Sequence, residues 1–166
     1  MPKKFLAILF SLLISASLCS CGNAAPSAES LLYELCDGMR LPAGEVYLMS
    51  ATEGEKGHLN DNTAKILYGN DFITDTLPKL SDYALFLSSF PYPYEAAVFV
   101  CRSASDTDSL LALCLERRDT LSVLMRQTEY AHLSSNVRIF AHGKYVAITL
   151  SDNPELSEKL MRKALS

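Results

Sequence analysis

Val137-Arg-Ile-Phe-Ala-His142, then Gly143-Lys144, then Tyr145-Val-Ala-Ile-Thr-Leu150: this stretch decides the fold. A two-residue turn that begins with glycine suits the type II′ geometry, in which only the first central position needs a positive φ. Closing the hairpin there sets Ala141 opposite Val146, Ile139 opposite Ile148 and Val137 opposite Leu150. Side chains alternate across a strand, so these residues share one face. Arg138, Phe140, His142, Tyr145, Ala147 and Thr149 share the other. The first face is core. The second is mixed and expected to stay open, so Thr149 should tolerate an acid where Ile148 would not.

The pattern extends outward from this hairpin. Downstream, Asn153 caps and Pro154 opens a helix, with Glu155 and Glu158 near its positive end and Leu156, Leu160, Met161 and Leu165 along one side. Upstream, Ser105-Asp-Thr-Asp108 has the Ser and acid of a capping box and predicts the longest helix, over residues 105–129. Leu110, Leu113, Cys114, Leu121, Leu124 and Met125 take its dry side, and Glu116, Arg117, Arg118, Asp119 and Arg126 are assigned to water. Residues 82–88 and 96–101 read as apolar central strands, joined by Phe90-Pro91-Tyr92-Pro93-Tyr94. Residues 62–68 form a short helix ended by Gly69, and residues 45–51 a short strand. A first helix carries Leu31, Leu32, Leu35, Cys36 and Met39, is capped by Ser27 or Ser30, and is stopped by Gly38 and then by Pro42 with Gly44. The expected fold is α+β, two-layer, a mostly antiparallel sheet of about five strands with helices packed on one face.

The N-terminus carries an address. Lys3 and Lys4 precede an uncharged apolar run from Phe5 to Leu18, the pattern of an export signal and too short to span a bilayer. Leu18-Cys19-Ser20-Cys21 then resembles a bacterial lipobox, which implies acylation of Cys21 and cleavage before it. The expected layout is a signal peptide over residues 1–20, a lipid-anchored linker over 21–28 and a single α+β domain over 29–166. Removing the signal leaves 146 residues and takes away two lysines and no acid, so the net charge moves from −4 to −6. That charge argues against nucleic acid and against electrostatic adhesion to anionic lipids. Attachment would rest on a diacylglyceryl group on Cys21, whose chains supply about 0.8 kcal/mol per buried CH₂. Cys36, Cys101 and Cys114 sit among apolar neighbours and read as buried thiols, although a Cys101–Cys114 bridge fits an exported protein.

From the lipobox onward the chain resembles a family of small exported bacterial lipoproteins, the domain of unknown function 4358. The resemblance rests on Leu67-Tyr68-Gly69, on Glu95-Ala-Ala-Val-Phe99 leading into a strand, on the long charged helix, and on Gly143-Lys-Tyr-Val-Ala-Ile-Thr-Leu-Ser151 before a terminal helix. It implies the fold and the cell-membrane address, and no activity, cofactor or catalytic residue.

No catalytic motif stands in the chain. A hydrolase needs a nucleophile, a base and an orienter, yet there is no Gly-x-Ser-x-Gly, and His58, His132 and His142 fall in loops and turns. Asn60-Asp61-Asn62 lacks the glycine and terminal glutamate of a calcium loop, and no zinc spacing occurs in the mature chain, so neither metal nor cofactor is expected. Acids cluster over residues 45–95, Glu95 among them, and read as a solvated face. The 90–94 loop is stiffened by its prolines and presents three rings with little to lose on ordering. The rings read first as folding back onto the core and second as a contact for an envelope protein or glycan. The expected function is a membrane-anchored extracytoplasmic binding or interaction module without catalysis, its contact surface including Phe90, Tyr92, Tyr94, Arg138, Phe140, His142 and Tyr145. The alternative is an envelope enzyme or solute-binding accessory with an unrecognised site. A flat open sheet face favours the module, and a pocket lined by convergent polar groups favours the alternative.

Overall fold

A computed structural model describes residues 25–165. Its elements are α1 (Ala28–Met39), β1 (Gly44–Leu48), α2 (Asp61–Tyr68), β2 (Leu80–Ser88), β3 (Glu95–Cys101), α3 (Thr107–Arg126), β4 (Val137–His142), β5 (Tyr145–Leu150) and α4 (Pro154–Leu165). The class is α+β, with one five-stranded sheet in the order β1-β2-β3-β5-β4 and every neighbouring pair antiparallel. The terminal hairpin has the register expected from its turn, Ala141 opposite Val146, Ile139 opposite Ile148 and Val137 opposite Leu150. Gly143 supplies the positive φ, 57°.

The layering differs from expectation. Helices cover both faces of the sheet, not one. On the first face α2 and α3 bring Tyr68, Leu110, Leu113 and Leu121 onto Leu85, Phe99, Val146 and Ile148. On the second, α1 and α4 bring Leu31, Leu32, Leu35, Met161 and Leu165 onto Ala84, Phe86, Val98 and Ala147. The reason lies in β3, whose seven residues Glu-Ala-Ala-Val-Phe-Val-Cys are all buried. A strand that is apolar on both sides needs cover on both. Thr149, expected at a solvent face, is therefore fully buried.

Local chemistry sets the ends. Ser27 Oγ accepts from the N–H of Ser30 at 3.1 Å, and Asp82 on β2 accepts from the N–H of Ala28 at 2.8 Å. Ala28 is thus the first, buried residue of α1 rather than the end of a linker. Gly38 does not stop α1. It lies inside the helix with Leu160 of α4 packed against it, where an added Cβ would meet Leu160 at 2.8 Å. The helix ends instead at Arg40, in the left-handed region at φ 55°. The expected capping box is absent: Ser103 caps a 3₁₀ turn over Ala104–Asp106, and α3 begins at Thr107, whose hydroxyl donates to the Gly143 carbonyl at 3.0 Å. α3 closes at Arg126, three residues sooner than expected.

Candidate functional site

The residues expected to share a contact surface are split between the two ends of the sheet. Strand β3 pairs with β5 from Glu95, opposite Leu150, to Val100, opposite Tyr145. The 90–94 loop therefore sits at one end and the Gly143 turn at the other. The Tyr145 hydroxyl donates to the Pro26 carbonyl at 3.3 Å. His142 and Tyr145 border a hollow of about 300 Å³ with Ala25, Pro26, Leu31, Ala164 and Leu165. Phe140, half-buried, packs against the core cluster formed with α1 and α4, with the Arg162 guanidinium carbon 4.9 Å from its ring centre. Arg138 Nη1 donates to the carbonyls of Ser135 at 2.8 Å and Val137 at 3.0 Å. The expected open sheet face does not exist, because α1 and α4 occupy it.

The loop behaves differently. Phe90 is 97 % exposed and Tyr92 about half exposed, so only Tyr94 leans inward, packed at the edge of the core. The Tyr92 and Tyr94 rings lie nearly parallel, 12° apart in plane and 6.0 Å between centres. Tyr94 donates its hydroxyl to Asp152 Oδ2 at 2.6 Å. The Ser88 N–H donates to the Tyr94 carbonyl at 3.0 Å and the Tyr92 N–H to the Ser89 carbonyl at 3.1 Å. The rings are thus carried on a backbone already tied down. Burial, then the bond to Asp152, pushes the Tyr94 phenol up to about 12.

A second group was not legible as a site in the sequence. Glu95, expected among solvated acids, is 2 % exposed, and Arg117, expected on the wet side of α3, is 8 % exposed. They form an ion pair, Arg117 Nη2 to Glu95 Oε2 at 2.6 Å, with Nε donating to both carboxylate oxygens at 3.3 and 3.2 Å. The Tyr68 hydroxyl donates to Glu95 Oε1 at 3.0 Å, and the guanidinium carbon sits 5.8 Å from the Tyr68 ring centre. Tyr68 also meets Phe99 edge-on at 5.5 Å. Burial opposes the charge on Arg117, but the Glu95 carboxylate and its hydrogen bonds outweigh burial and raise its pKa. Burial, then the Glu95 charge, holds the Tyr68 phenol well above its ordinary value. Above this group, between α2 and α3, lies a cavity of about 250 Å³ reached by Lys65, Tyr68, Gly69, Glu116, Arg117 and Thr120.

The other candidates stay apart. Cys36, Cys101 and Cys114 are free thiols, so Cys101 and Cys114 are not bridged, and burial raises all three. Asn60 caps α2, its Oδ1 accepting from Thr63 N at 2.9 Å. His58 Nδ1 lies 3.2 Å from the Ala51 carbonyl. Among the described residues no group of three or more His, Cys, Asp or Glu is placed to hold a metal ion. Among them, too, no helix is long and apolar enough to cross a membrane. Cys21 and the expected signal segment lie outside the described residues. Compared with known protein families, curated proteins and solved structures, the chain matches none.

Proposed function

We propose that this chain is a lipid-anchored extracytoplasmic binding module of the cell envelope, without catalysis of its own, held to the membrane through a diacylglyceryl group on Cys21. The export-signal pattern and the lipobox-like run support the address. The observation behind the binding role is the placing of the 90–94 loop relative to the tether. Pro26 is held beside Tyr145, and the four residues 21–24 reach at most about 14 Å when extended. The Gly143 end of the sheet then faces the membrane. The seven residues of β3 put the 90–94 loop a further ~23 Å out. Phe90 and Tyr92, rings of the kind enriched at interfaces, stand at that outer end. The partner is an envelope protein or glycan.

Two measurements test the reading. Cys21→Ala should abolish acylation and leave an unprocessed or released form, whereas unmodified Cys21 in membrane-bound wild type, seen by intact mass, overturns the anchor. Crosslinking on intact cells should lose its captured partner when Phe90 and Tyr92 are both changed to Ser. Both side chains are exposed, so the variant should fold, which circular dichroism checks. Unchanged capture would remove the loop from the binding surface.

A further inference from the structure

The geometry points to the cavity between α2 and α3 as a binding site for a small oxyanion, a carboxylate or a phosphate, received by Arg117 and Lys65. The buried ion pair gives the first reason. A buried pair gains little over well-packed apolar residues, since desolvation offsets the attraction. Glu95 and Arg117 are thus not accounted for by stability alone. Glu95 takes up Nε and Nη2 of the guanidinium. Among the described residues Nη1 makes no hydrogen bond, yet the one buried orphan atom is Thr149 Oγ1. Nη1 therefore keeps access to the cavity that Arg117 lines. A guanidinium fixed on one edge by a carboxylate and on its face by the Tyr68 ring is pre-aimed, and its spare edge suits an oxygen acceptor.

The surroundings fit the same ligand. Lys65 stands on the rim and forms no ion pair among the described residues. Glu116 is the one acid lining the cavity, and Glu95 binds Arg117 from beneath, so Lys65 and the free edge of Arg117 are the groups left to receive an anion. Leu67, Leu113 and the strongly exposed Ile66 supply an apolar wall for a short carbon chain. The volume, about 250 Å³, lies below the range for drug-sized ligands, so the ligand is small. This inference does not depend on the lipid anchor or on the 90–94 loop.

The test titrates the full-length chain in detergent, at constant ionic strength, with inorganic phosphate, acetate and succinate in separate arms. The Arg117 side-chain nitrogen resonances are followed by NMR. A saturable shift with phosphate alone, or with the carboxylates alone, assigns the anion class. Lys65→Glu reverses the rim charge and should weaken binding at least about tenfold, the scale of one charge-assisted hydrogen bond. Thr120→Trp fills the cavity and should abolish it. Both residues are exposed and neither is hydrogen-bonded or ion-paired to Glu95 or Arg117, so both variants should melt like wild type. Shifts that grow only linearly in every arm, or affinity that either variant leaves unchanged, overturn the proposal.

Discussion

Arg117 shows what a single residue's charge can conceal. Leu113 and Leu121, four positions to either side, are both core, so helical spacing alone puts residue 117 on the dry stripe of α3. An arginine there implies a buried partner, and the sequence holds that signal even though charge alone assigns the residue to water. Glu95, by contrast, is recognisable only from its place at the head of an apolar strand. Arg117→Met should cost roughly 3–5 kcal/mol by stranding Glu95, while Arg117→Met combined with Glu95→Leu should recover most of it. Denaturant melts of both variants check this. Thr149 makes the opposite case: its Oγ1 is buried without a partner, so Thr149→Val should stabilise by about 1 kcal/mol. Thr149→Asp should now be as damaging as Ile148→Asp, because both positions are fully buried. Tyr94 brings a pH dependence. Its phenol ionises near pH 10 in the unfolded chain and near 12 when folded. The unfolded state thus loses its proton first, and the stability this group contributes is whole below pH 10 and falls as pH rises through 12. Tyr94→Phe should flatten part of that alkaline loss, as melts between pH 9 and 12 would show.

At the scale of elements, the strands and helices were legible to within a few residues because their periods are strong and their caps local. The pairing of β4 with β5 followed from one glycine. The number of layers was missed, although the sequence contained it. Five strands about 4.8 Å apart make a sheet roughly 24 Å wide, and helices about 10 Å across fit only two to a face. Four helices, each with an apolar stripe, therefore need both faces. What no local pattern reveals is which helices pair: α1 and α4 come from opposite ends of the chain and meet where Gly38 admits Leu160. The helix end at Arg40 offers a further check. A side chain at φ 55° carries strain that glycine does not, and Arg40→Gly should raise stability by up to about 1 kcal/mol. A lower melting temperature would show that the arginine side chain contributes more than its backbone costs.

For the whole molecule, the contact residues inferred from sequence came apart because reading strand faces without counting helices left one face bare. Phe90 and Tyr92 of the loop half remain exposed, whereas Phe140 and Tyr145 of the hairpin half pack against the core under α1 and α4 and His142 stays exposed at the turn. The candidate anion cavity lies over the Glu95–Arg117 pair, at the same end of the sheet as the 90–94 loop. One further consequence comes from the hollow that Ala25 and Leu165 border together. The two ends of the described chain meet, which makes the fold a ring in all but one covalent link. A few flexible residues would bridge Leu165 to Ala25, and a cut in the exposed turn at Gly54 would leave every strand pairing in place. In the native order, a reporter fused behind Leu165 would emerge beside Ala25, next to the anchor proposed at Cys21. A reporter carried on the permuted ends at Gly54 would not be pinned there.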